Sequence, residues 1–382
     1  MNFLLKNYQI FFNELIVSYL EFSKRLTEWK EIRNESIKTC RFPFKNYRAG
    51  QREMAVAVYN TISNKNKLFV QAPTGIGKSM SVIFPSIKAI GEDKLDKIFY
   101  LVSRSTGKIT AQDSLFKLMD RGLRIKYLTL TAKEKICIND EVKCNPKDCP
   151  FAKGHFDRVN DAIIDIFDSV DEFKRSNIEK YSRLHLVCPF EFQLDLANFS
   201  DFIIGDYNYA FDPIVYLKRF FEGSLESYVF LVDEAHNLVD RAREMYSAEF
   251  KLNDLMLLDE YLPKSLKINR ANNLKAISEF NLLAKTRFFS YQAFANLNEA
   301  LEKLMYSLND YLIKYKEDEH YDEILNIYFN LFSYNKIYQY YNKDFVSLKE
   351  ENTIKILCLD SGDIFKDILK NARASVFFSA TL

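Results

Sequence analysis

No run in the 382 residues is both apolar and long enough to cross a bilayer, because the strongest early stretch, residues 10–20, is interrupted by Asn13 and Glu14. No secretory leader is recognisable either, so a membrane partner is not expected and the chain reads as cytoplasmic. In that compartment its six cysteines are free thiols or metal ligands rather than disulfides. Net charge is only +1, which leaves no global field to draw a polyanion; any nucleic-acid contact has to rest on local patches. Glycine (10) and tryptophan (1) are scarce against 33 Phe and 23 Tyr. That aromatic excess reads first as core filling and second as stacking surface for bases. With 48% hydrophobic and 27% charged residues the composition is ordinary for a globular protein of two or three domains, and a disordered tail is excluded.

The chain is organised around residues 68–79, LFVQAPTGIGKS. A short apolar strand runs into Ala72-Pro73-Thr74-Gly75-Ile76-Gly77-Lys78-Ser79, and the residues that follow carry helical spacing. Strand, turn and helix in that order make a phosphate cradle. Backbone N–H groups face the phosphates, Lys78 supplies a cation to the outer ones, and the Ser79 hydroxyl reaches Mg²⁺. ATP is the expected ligand. Ala72 stands where the usual pattern has its first glycine, a replacement common in helicase-type ATPases. One helix upstream, Arg48 and Gln51 are candidates for reading the adenine; an exposed helix start explains Arg48 equally well.

Further apolar strands at residues 97–103, 125–130, 202–206 and 229–232 alternate with helical patterns, which predicts a mostly parallel sheet with ligands at its carboxyl edge. The last of these strands ends in Asp233-Glu234-Ala235-His236. A carboxylate there can hold Mg²⁺ (Asp233) and its neighbour can polarise an attacking water (Glu234). Between the two motifs, Cys137, Cys144 and Cys149 fall within thirteen residues of a polar loop, and Cys188 follows before Pro189. Four thiolates suit a tetrahedral zinc or a [4Fe–4S] cluster, and the lack of any CxxC pair argues against zinc. Cys40 and Cys358 have no such company. Residues 241–369 read as mainly helical, with Leu297, Leu301, Leu304, Leu308 and Tyr311 on one stripe. Eight aromatics within residues 328–345, with Lys336 and Lys343 among them, fit a helical core better than a single-strand contact surface. The chain stops at a strand followed by Ser379-Ala380-Thr381.

In this order, phosphate loop, four cysteines, Asp-Glu-Ala-His and Ser-Ala-Thr resemble the motor portion of the iron–sulfur DNA helicases of the XPD and DinG type, within superfamily 2. The resemblance covers residues 42–382, and the text around Cys137 and Cys188 is similar to the bacterial branch. It implies an α/β fold: a RecA-like P-loop parallel sheet with an inserted cysteine-ligated iron–sulfur domain and an inserted, mainly helical arch domain. The implied division is an N-terminal helical segment (1–40), the motor domain in three parts (41–130, 197–240 and 370–382), the cluster domain (131–196) and the arch (241–369). It also implies that Lys78, Asp233, Glu234 and His236 serve ATP hydrolysis, that His236, Ser379 and Thr381 couple nucleotide state to DNA, and that Cys137, Cys144, Cys149 and Cys188 hold a [4Fe–4S] cluster. Single-stranded and forked duplex DNA are the implied partners, for a monomer acting in DNA repair. The family's second motor domain has no counterpart here, so a fragment with weak hydrolysis is expected; residues 1–40 carry no nuclease motif. Two other readings stay open: a non-catalytic nucleic-acid-binding module, and a P-loop ATPase with structural zinc.

Overall fold

The computed structural model describes residues 2–215, 217–221, 225–283, 287–370 and 372–382. Along the chain run α1 (Asn2–Thr39), α2 (Gln51–Ser63), β1 (Lys67–Gln71), α3 (Lys78–Gly91), β2 (Lys97–Val102), α4 (Ser105–Met119), β3 (Tyr127–Thr129), α5 (Lys133–Ile136) and α6 (His155–Ser169). There follow β4 (Glu172–Phe173), α7 (Arg175–His185), α8 (Pro189–Leu196), β5 (Phe202–Asp206), α9 (Asn208–Phe211), α10 (Lys218–Phe221), β6 (Tyr228–Asp233) and α11 (Leu238–Met245). The remainder comprises β7 (Ala248–Lys251), α12 (Leu252–Tyr261), α13 (Lys267–Leu282), β8 (Phe288–Ser290), α14 (Ala295–Lys314), α15 (Tyr321–Tyr338), β9 (Phe345–Glu350), β10 (Thr353–Cys358), α16 (Gly362–Leu369) and β11 (Ala374–Ser379). The chain divides into two units: residues 1–207, 222–236 and 371–382, and residues 208–221 and 237–370.

The first unit is built on a seven-stranded, all-parallel sheet in the order β1-β11-β6-β2-β5-β3-β4. Strands β2 and β11 are buried at every residue, as expected for a parallel sheet covered on both faces. Their unbroken apolar text follows from that burial. The core on one face joins Val58 and Ile62 of α2, Ile83, Ile87 and Ile90 of α3, and Leu115 of α4 to Tyr100, Val229 and Val376 of the strands. Because all seven strands run the same way, their carboxyl ends, and the turns after them, share one edge.

Helix α1 is a single helix that docks by its later half. Trp29, Arg33 and Ile37, four residues apart on one stripe, are all buried. Arg33 pairs with buried Asp201, which also accepts from the Trp29 indole at 3.3 Å and the Lys126 amide at 3.0 Å. The sequence of residues 1–40 shows helical spacing of apolar residues, as at Phe11, Leu15, Tyr19 and Phe22; Leu15 and Tyr19 are exposed, whereas Phe22 packs edge-on against Phe167 and Phe199, and the Phe11 side chain lies outside the described residues. Lys126, 1% exposed, is unusual for a lysine beside a parallel strand. Its ammonium lies 4.1 Å from the Trp29 ring centre and donates to the Phe167 and Val170 carbonyls at the end of α6, where the helix dipole favours a cation. Arg33→Ala would strip Asp201 of its guanidinium inside the protein, and a loss of about 3 kcal/mol is expected in urea unfolding monitored on this unit.

The second unit is mainly helical, as expected, and adds a small sheet. Helices α13, α14 and α15 pack in sequence, and the predicted stripe of Leu297, Leu301, Leu304, Leu308 and Tyr311 is buried along α14. Beside them, however, lies a four-stranded antiparallel sheet, β7-β10-β9-β8. The β9–β10 hairpin turns at Glu351, whose backbone is left-handed (φ 46°). In the aromatic run, Tyr334 and Phe345 are core, while Phe329 and Phe332 are exposed.

Candidate functional site

The phosphate loop spans the gap between β1 and α3. Gly75 and Gly77 both adopt left-handed backbone (φ 87° and 86°), which a side chain would strain. At Gly77 space is also closed: a Cβ would stand 2.5 Å from the Gln51 amide nitrogen. Gln51, 2% exposed, donates to the Gly77 carbonyl at 3.4 Å and accepts from the Arg48 amide at 3.0 Å; Arg48 donates to the Gly75 carbonyl. Both upstream residues therefore brace the loop. The Ala72 amide donates to the Ser379 carbonyl at 2.9 Å, which ties the start of the loop to the end of β11.

β11 separates β1 from β6, and the three parallel strands deliver their motifs to one place. Lys78 Nζ lies 3.8 Å from Glu234 Oε1 and 3.4 Å from the Ala72 carbonyl, with 11% of its side chain exposed. Asp233 is buried, and burial raises its pKa above the ordinary carboxylate value. Its Oδ1 accepts from the Glu234 amide at 2.9 Å. Glu234 itself is held in left-handed backbone (φ 48°), a strained conformation for a non-glycine residue. Ser379 Oγ bridges Glu234 Oε2 at 2.9 Å and His236 Nδ1 at 2.6 Å, and its oxygen accepts from the Thr381 amide at 3.2 Å. Since the hydroxyl has one proton, which the carboxylate takes, Nδ1 of His236 is the protonated ring nitrogen and donates to Ser379. A change at Glu234 is thus felt directly by His236 and by the turn after β11.

Three features of this edge escape sequence reasoning. The Tyr100 hydroxyl, from the middle of buried β2, is 2.9 Å from Asp233 Oδ2 and 3.2 Å from Ser79 Oγ. The Tyr207 hydroxyl, just past β5, lies within hydrogen-bond reach of the Asp233 and Glu234 carbonyls and donates to one of them. Lys108 of α4 pairs with Asp206 at 2.7 Å and donates to the Leu130 carbonyl, joining the ends of β5 and β3. The available signal is a hydroxyl inside a six-residue buried strand, which must find a partner.

Cys137, Cys144, Cys149 and Cys188 line one cavity of about 230 Å³, together with Phe151, His155, Phe156 and Phe190. The loop around Cys144 and Cys149 lies over the start of α8, where Cys188 precedes Pro189 at the first helical position. The Cys188 amide donates to His155 Nδ1 at 3.2 Å, and the Asn139 amide donates to Cys149 Sγ at 3.1 Å. All six cysteines are free thiols. Among the described residues no three His, Cys, Asp or Glu side chains converge closely enough to hold a single metal ion.

The DEAD_2 family profile matches residues 106–255, a span holding the four cysteines and Asp233-Glu234-Ala235-His236. The chain is similar to XPD/DinG-like superfamily 2 helicases. A homolog of regulator of telomere elongation helicase 1 from Caenorhabditis briggsae is 21% identical to this chain over 272 residues, which is 60% of the chain and 27% of that relative. The ATP-dependent DNA helicase CHL1 of Candida glabrata is 27% identical over 153 residues, 35% of the chain and 18% of the relative. A solved structure described as truncated XPD superposes with a TM-score of 0.55 at 16% identity, covering 86% of this chain and 92% of that one, and so shares its fold. The chain thus spans about a quarter of the length of the curated relatives it matches first.

Proposed function

We propose that the chain is the ATP-binding motor of a DNA helicase, coupling hydrolysis to movement along single-stranded DNA and to duplex unwinding. The observation that carries this is the meeting of Lys78, Glu234, Ser379 and His236 at one sheet edge, within 2.6–3.8 Å contacts of each other. In this reading Lys78 and the loop amides hold the β- and γ-phosphates, and Ser79 and Asp233 hold Mg²⁺. Glu234 orients the attacking water, and Arg48 and Gln51 flank the base while bracing the loop. Ser379, His236 and Thr381 relay the state of Glu234 to a DNA strand. The relatives include an ATP-dependent DNA helicase, CHL1 of Candida glabrata, which agrees with it.

The cysteine cavity is read as a [4Fe–4S] site held by Cys137, Cys144, Cys149 and Cys188. All four cysteines line that cavity, and their spacing lacks the CxxC pair that zinc sites favour. A four-iron cube bound by four cysteine thiolates needs room of that kind. Bound there, the cluster would supply a rigid, redox-capable cross-link between the residue 137–149 loop and α8, in a cluster domain over 131–196 that helps part the strands of a forked duplex. The second unit, over 241–369, is read as the arch that contacts single-stranded DNA, acting within a monomer.

Glu234→Gln tests the motor. Because glutamine keeps the size of the side chain and cannot act as a base, nucleotide binding is expected to persist while DNA-stimulated hydrolysis falls at least about a hundredfold. Fluorescent-nucleotide titration and phosphate release read the two quantities. DNA binding with no turnover in the unmodified protein would instead favour the non-catalytic module.

A further inference from the structure

We infer that Tyr100 is a positioning residue of the magnesium site, a role that rests on the motor reading above. Its ring lies in the fully buried strand β2, beside Phe202 and Phe378 at 6.1 Å between centroids. Only the hydroxyl emerges at the site, 2.9 Å from Asp233 Oδ2 and 3.2 Å from Ser79 Oγ, so it touches both side chains that would hold the ion.

A phenol has one proton, and it cannot serve both neighbours. The carboxylate is the stronger acceptor, so Tyr100 donates to Asp233 and its oxygen accepts the Ser79 hydroxyl proton. Directed in that way, the Ser79 lone pairs point away from Tyr100 and stay free for a cation. Asp233 is held at both oxygens, Oδ1 by the Glu234 amide and Oδ2 by Tyr100, each retaining a lone pair for the ion or its water shell. Two ligands, one on β6 and one on α3, are thereby fixed before magnesium arrives. Lysine or arginine could not do this job in the same place, since a second cation beside the ion would repel it. Groups that orient metal ligands in this manner are worth ten- to a hundredfold in metal affinity.

The test is a Mg²⁺ titration of fluorescent-ATP binding to the 382-residue protein, unmodified and as Tyr100→Phe, with a second series in EDTA. Phenylalanine keeps the packed ring and removes only the hydroxyl. Half-saturating Mg²⁺ is expected to rise about tenfold in the variant, while nucleotide affinity in EDTA and the thermal midpoint stay within error. Tyr127→Phe, which removes a buried hydroxyl bonded to Glu172 in the same sheet, is expected to leave the Mg²⁺ dependence unchanged. An unaltered Mg²⁺ dependence in Tyr100→Phe overturns the inference, and so does a tighter one, which would show the hydroxyl competing with the ion. Failure of the unmodified protein to bind nucleotide in Mg²⁺ would instead sink the motor reading itself.

Discussion

Lys78→Ala is expected to abolish DNA-stimulated ATP hydrolysis, with a loss of at least two orders of magnitude in kcat/KM and a matching loss of nucleotide affinity. Lys78 places a cation against the acidic pair, 3.8 Å from Glu234. Without it, incoming phosphates would face Asp233 and Glu234 with that countercharge removed. The substitution should not disturb the fold, because Lys78 opens α3 and alanine is a good helix former. Thermal unfolding should therefore be unchanged while phosphate release disappears. Turnover equal to the unmodified protein would remove the premise that this edge binds ATP.

Cys144→Ser is expected to bleach the protein. Purified without oxygen, the unmodified chain should be brown, with visible charge-transfer absorbance and about four irons per molecule. The variant should lose both to background. Cys144 is exposed, so serine replaces it without opening a core, and a loss of colour reports ligation rather than unfolding. Loss of the cross-link should also loosen the 137–149 loop, since metal binding and local folding are coupled at such sites. Colourless unmodified protein carrying one zinc would overturn the cluster while leaving the motor intact.

Much of the motor was legible beforehand because its determinants are local. A phosphate loop is a strand, a glycine turn and a helix within a dozen residues, and Asp233 and Glu234 announce themselves by following four apolar positions. The antiparallel sheet of the second unit was missed for the opposite reason. β7 and β8 are four and three residues long, and β9 carries Lys349 among its buried positions, so of the four strands only β10, with its apolar run ending at Cys358, reads as strand-like before pairing across the sheet is seen. The docking of α1 was likewise hidden. Its apolar spacing gave no sign of which part docks; among the described side chains the first buried one is Trp29, one turn before Arg33, which finds Asp201 168 residues away.

The order and chemistry of the motifs, the parallel class of the main sheet and the identity of the four thiols were determined by sequence alone, since each depends on neighbours within a few residues. Which of them meet was decided only by the tertiary structure. Strand order places β11 between β1 and β6, so Ser379 reaches Glu234 across 145 positions of chain, and the burial of β2 aims Tyr100 at Asp233 from 133 positions away. Contacts of that range follow from how strands pair and which faces must leave water, and no window of sequence contains that information.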